Sequence, residues 1–285
     1  MAPITAVLAL CAAAAPAPAQ QRLVVPLSDP GRPATLEVSL VMGEVNVHAY
    51  DGNEVVILVE EGASDDDDQD FDFGRGRNGR DNDDEERDAA ARRAGLRRIP
   101  NTALGLTAEE RDNTVTVKLD FSPRNAKLDI SVPRRTSVRA SLVNGGDVSV
   151  TGVTGSHELS NVNGDVFATD IAGSAVVGTT NGDVEVSFTE LTRNAAMSFS
   201  SFNGDVDVAL PPDLSADLWI NSGRGDVYTD FEFDLQPQEP VIERGGDAGG
   251  RYHVRMERRM HAVIGGGGPE LRFRTFNGDI MIRKR

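Results

Sequence analysis

Six carboxylates recur in one local setting: Asp147, Asp165, Asp183, Asp205, Asp226 and Asp279 each lie between a glycine and a valine or isoleucine. Successive members are 18, 18, 22, 21 and 53 positions apart. Four complete an Asn-Gly-Asp run, at Asn163-Gly164-Asp165, Asn181-Gly182-Asp183, Asn203-Gly204-Asp205 and Asn277-Gly278-Asp279, while Gly225-Asp226 follows Arg224. Gly43-Glu44-Val45 is an earlier relative. Carboxylates at a steady interval could bind cations, recognise a ligand, move protons or tie chain corners. If the copies stack one strand apart, neighbours repel by about 0.9 kcal/mol in a water-like dielectric and roughly four times that at an effective constant of 20. The column must therefore be solvated, cation-bound or hydrogen-bonded to amides. Asn and Asp accept backbone N–H bonds in turns, and glycine takes positive φ freely, so these residue types favour a structural turn ladder. The Gly-Gly-x-Gly-x-Asp pattern of calcium-binding solenoids is missing, and no metal ligand is assigned.

Other chemistry has little support. His48, His157, His253 and His261 are scattered without metal-ligand spacing. There is no Gly-x-Ser-x-Gly elbow, and the single cysteine, Cys11, permits no intrachain disulfide. The aspartates repeat singly, not as the isolated pair of a glycoside hydrolase. No catalytic residue and no cofactor is assigned. Arg224-Gly225-Asp226 spells an integrin tripeptide, but Gly225-Asp226 already belongs to the repeat, so only Arg224 is extra.

The elements that carry these corners are strands. After the aspartates come Val148-x-Val150, Val166-x-Ala168, Val184-x-Val186, Val206-x-Val208 and Ile280-x-Ile282, the period of a half-buried strand. In the 18-residue units Val153 matches Ile171, Leu159 matches Val177, and Gly155-Ser156 matches Gly173-Ser174, which reads as a second corner. A coil of 18 residues has a contour near ~60 Å and advances by one strand spacing, and only stacking buries its apolar column. A parallel β-solenoid with coils of about 18–22 residues follows. A β-sandwich with Asn-Gly hairpins is the rival, but hairpins alone do not demand equal offsets. Leu36–Leu40, Val55–Val59, Val115–Phe121, Leu128–Val132 and Val138–Leu142 also read as strands.

Two charged stretches interrupt this plan. Asp65 to Asp88 holds 12 acidic residues against four arginines, half of the formal net charge of −16. It is expected to be a disordered, solvated insertion, with a short helix over Glu86 to Arg98. The last 35 residues hold nine Arg or Lys against three acids. That end could face the acidic insertion, anionic lipid or glycan, or cap the coil. Gln236 to Gly250 breaks the period, and the terminal LRFRTFNGDIMIRKR reads as a closing coil.

The chain opens with Ala6–Ala15, a short apolar run, followed by the cleavage pattern Ala17-Pro18-Ala19, though without a basic n-region. An export signal is expected, and the run is too short to span a bilayer. Leu10 before Cys11 argues against lipidation. The expected organisation is 1–19 signal peptide, 20–62 N-terminal strands and first coil, 63–100 acidic insertion, and 101–285 solenoid repeats. The acidic balance argues against nucleic acid as a partner.

The stretch KLDISVPRRTSVRASLVNGGDVSVTGVTG, the Asn-Gly-Asp-Val units, LPPDLSADLWINSGRGDV and LRFRTFNGDIMIRK resemble the bacterial adhesin-like family, a domain of unknown function. LEVSLVMGEVNVHAYDGNEVVILVEE is similar to its opening coil. The resemblance covers most of 35–285 apart from the acidic insertion. It implies a parallel β-solenoid in the cell envelope or beyond, and it brings no catalytic residues. The expected function is a non-enzymatic surface or periplasmic scaffold or adhesion module that meets glycan or an envelope protein. The alternatives are a carbohydrate-active β-helix lyase or hydrolase, and a cation-stabilised solenoid.

Overall fold

The computed structural model describes residues 21–61, 105–119, 126–236, 241–246, 252–257 and 260–285. The export signal and the whole acidic insertion with its expected helix lie outside these residues. The described chain is all-β, without a helix. Its strands are β1 (Gln21–Pro26), β2 (Ala34–Tyr50), β3 (Glu54–Glu61), β4 (Leu106–Arg111), β5 (Thr114–Leu119), β6 (Ala126–Pro133) and β7 (Thr136–Asn144). Then come β8 (Val148–Thr151), β9 (Thr154–Asn161), β10 (Val166–Asn181), β11 (Val184–Leu191), β12 (Met197–Asn203), β13 (Val206–Leu210) and β14 (Ala216–Ser222). The last are β15 (Val227–Thr229), β16 (Asp234–Gln236), β17 (Val241–Gly246), β18 (Tyr252–Glu257), β19 (Met260–Ile264), β20 (Glu270–Thr275) and β21 (Ile280–Lys284).

Each repeat pairs in parallel with a like segment, because equal offsets let apolar side chains alternate inward in register. Val148, Val166, Val184, Val206 and Ile280 form one buried row across β8, β10, β11, β13 and β21. Two lanes of strands result. One runs β6–β2–β8–β10–β11–β13–β21–β15. The other runs β5–β2–β7–β9–β10–β12–β20–β14. Antiparallel strands finish the lanes: β3 with β1 and β4 at one end, and β19 with β16 on the second lane at the other. β17 and β18 form a separate antiparallel hairpin. The buried column between the lanes includes Phe188, Phe199 and Phe273, the last two stacked at 5.3 Å.

Two sequence expectations change. Gly155 and Gly173 are not a corner, since they pair with each other inside β9 and β10. A side chain at Gly173 would collide with the Gly155 carbonyl, so glycine here marks close backbone approach instead of a bend. The bend falls earlier, at Gly152 (φ 72°) and Asp170 (φ 56°). The terminal segment is also not the outermost coil. β20 and β21 lie between β12/β13 and β14/β15, and β2 likewise lies between β5/β6 and β7/β8. Strand alternation specifies which side chains face inward but not which repeat is the spatial neighbour.

Candidate functional site

The repeated corners stack into three polar columns. In the first, the amide of each aspartate after Asp147 donates to the carboxylate of its neighbour. Asp165 donates to Asp147 at 2.9 Å, Asp183 to Asp165 at 2.8 Å, and Asp205 to Asp183 at 2.8 Å. Asp279 then donates to Asp205 and Asp226 to Asp279, both at 2.8 Å. A carboxylate that accepts a fixed amide offsets part of its repulsion toward the next. Glu44 takes the aspartate place at one end, since the Val45 amide donates to the Asp147 carbonyl. Burial pushes the Glu44 carboxyl up, but hydrogen bonds from Lys127 (2.9 Å) and Asn46 bring it below its ordinary value.

The second column is an asparagine ladder. Asn163 donates through Nδ2 to Oδ1 of Asn144, Asn181 to Asn163, Asn203 to Asn181, and Asn277 to Asn203. Arg224 ends it, with Nη1 3.2 Å from Oδ1 of Asn277 and the guanidinium 5.1 Å from the Phe276 ring centre. The extra residue of the Arg-Gly-Asp run thus stands where the other repeats have asparagine. Gly164, Gly182, Gly204 and Gly278 separate the two columns, and Gly225 takes that place beside Arg224. At Gly182 φ is 148°, and a Cβ would strike the Gly164 carbonyl oxygen.

The third column escaped the sequence reading because its residue types differ. Asn161 donates to the Gly146 carbonyl, Thr179 to Gly164, Ser201 to Gly182 and Thr275 to Gly204, at 2.8–2.9 Å. All four side chains are buried. The signal was present as a hydrogen-bonding residue two places before each ladder asparagine. The expected ladder residues are thus brought together, and their polar atoms face one another along the stack. Among the described residues no three His, Cys, Asp or Glu side chains converge as a metal site.

A different chemistry lies on the outer face of the second lane. Across β12, β20 and β14 the register sets Ser198, Arg272 and Trp219 in one row and Ser200, Arg274 and Asn221 in the next. These six line a cavity of about 650 Å³. Arg272 Nε donates to Glu270, whereas Arg274 has no ion-pair partner among the described residues. Trp219 is stacked on His261 with ring centres 4.3 Å apart, and His261 Nε2 lies 3.3 Å from Oδ1 of Asp217. One row further on, Phe202 and Phe276 stack at 5.0 Å. Strand alternation exposes these side chains, but only the non-sequential order of β12, β20 and β14 assembles them, so sequence spacing could not.

With this geometry in view, the family described as Toastrack DUF4097 matches residues 143–260. That segment holds five of the six repeated aspartates. Nothing among curated proteins matches the chain. A candidate cell adhesion protein from Clostridium sporogenes is similar in structure at 12% identity and TM-score 0.47, covering 94% of this chain and all of its own. A candidate adhesin from Bacteroides fragilis is similar at 13% identity and TM-score 0.38, covering 95% of this chain and 99% of its own.

Proposed function

We propose that the chain is an exported, non-enzymatic parallel β-solenoid, acting as a stiff scaffold or adhesion-type module at the cell surface or in the periplasm. The carrying observation is that the repeated carboxylates are engaged rung to rung by backbone amides. A column that satisfies itself builds a rigid edge and leaves the broad outer faces of the strands for a partner. The Toastrack match over the repeats and the Ala17-Pro18-Ala19 pattern support this reading. The partner on those faces is a glycan or an envelope protein.

Two measurements test the proposal. Expression in a bacterial host followed by N-terminal sequencing should find Gln20 as the first residue of protein outside the cytoplasm. Protein that keeps Met1 and stays in the cytoplasm would sink export. Glycan-array and cell-surface binding should show retention without turnover, and release of new reducing ends would establish an enzyme instead.

A further inference from the structure

The outer face of β12, β20 and β14 has a defined chemistry. Arg272 and Arg274 both point out of β20, two residues or ~7 Å apart along the strand. Trp219 stands beside Arg272 on the neighbouring strand. One face of its indole lies against His261, and Asp217 holds that imidazole, so the ring is pre-positioned in the cavity wall. Ser198, Ser200 and Asn221 supply donors and acceptors around the same cavity. The stacked Phe202 and Phe276 lie one row beyond Ser200 and Arg274.

We infer that this face binds an acidic polysaccharide, with Arg272 and Arg274 meeting its carboxylate or sulfate groups and Trp219 stacking on a sugar ring. The inference rests on the adhesion-module reading and gives it a site and a ligand class. Charge selects the occupant. Two guanidiniums form a basic island on a chain of net charge −16, bounded in register by Glu270 and Asp217. A densely charged duplex or anionic membrane would need a broad basic surface, which two guanidiniums do not provide. A polysaccharide with spaced anionic groups and neutral ring faces matches the alternation of guanidinium, indole and hydroxyl. Arg272 keeps free N–H donors beyond its bond to Glu270, and the guanidinium fork suits carboxylate and sulfate oxygens.

Trp219 is the sole tryptophan, so its emission reports on this site alone. The full chain is titrated with polygalacturonate and hyaluronate, with neutral dextran, duplex DNA and phosphatidylglycerol vesicles as comparisons. Saturable emission changes are expected with the two acidic polysaccharides only. The double variant Arg272→Gln, Arg274→Gln should weaken binding by about tenfold or more. Both side chains are exposed, and matching circular dichroism verifies the variant's fold. If polysaccharide binds but the emission and the double variant's affinity are unchanged, the site is overturned while the adhesion module stands. Equal responses to DNA or vesicles overturn the ligand class. If no polysaccharide binds but an envelope protein does, this inference falls and the module reading survives.

Discussion

His157 occupies an inward position of β9, 2% exposed and paired with Ala175 of β10, whose small side chain leaves room for the ring. Burial lowers the imidazole pKa to about 4, against a slight opposing effect from the Ala172 carbonyl. The unfolded chain, titrating near 6.5, then binds more protons than the folded one between those values. Stability is complete above about pH 6.5 and falls as the pH drops toward 4, by about 3 kcal/mol in all. Urea unfolding at steps between pH 7 and 4.5 should show this slope, and His157→Leu should flatten it. A wild-type slope that persists in the variant would place the titration elsewhere. Gly182 carries a second residue-scale prediction. Its φ of 148° and the nearby Gly164 carbonyl make Gly182→Ala destabilising by about 2–3 kcal/mol in the same assay. Gly31, where a Cβ meets only the exposed Asp29 carboxylate, should tolerate alanine within about 0.5 kcal/mol.

At the scale of elements, the corner columns divide into interior rungs and ends. The Asp183 carboxylate holds the Asp205 amide, whereas Asp226 ends its column and no further amide donates to its side chain among the described residues. Asp183→Ala should therefore cost about 1–2 kcal/mol and Asp226→Ala nearly nothing. Equal losses would show that the bonds do not carry the effect. Because amides already engage the interior rungs, millimolar calcium should leave the melting temperature unchanged; a rise of many degrees reversed by chelation would establish the cation-stabilised alternative. This scale also shows what could be read from spacing. The Asn-Gly-Asp corners were legible because the same residues return to the same place. The buried column of Asn161, Thr179, Ser201 and Thr275 was not, because amide and hydroxyl side chains perform one task under different names. Gly155 and Gly173 misled because glycine serves close approach as well as turning.

For the whole molecule, chain order and stack order part company. The intervals suggested that the repeats add one after another, ending with the C-terminal coil. Instead β20 and β21 fill the place between the β12/β13 and β14/β15 units, pairing with strands on both sides. The Asp279 amide holds Asp205 while its carboxylate holds Asp226, and Phe273 stacks on Phe199. Removing residues 266–285 would thus open a gap inside the stack, exposing two facing edges and a buried aromatic column. A solenoid that grew strictly from N to C would lose only its last coil, a modest change in a system held by nearest-neighbour contacts. The truncated chain should fail to unfold cooperatively in urea, and emission from Trp219 on β14 should shift before the far-ultraviolet signal changes. Deletion of the outermost strand β1, which among the described residues pairs only with β3, should lower the midpoint while leaving one transition. Should the 266–285 truncation keep a single sharp transition near the wild-type midpoint, the C-terminal segment would be a removable cap and the interleaved order would be wrong. The same interleaving makes folding depend on pairings 74 residues apart, as between Asp205 and Asp279, so refolding should be slow for a chain of this size.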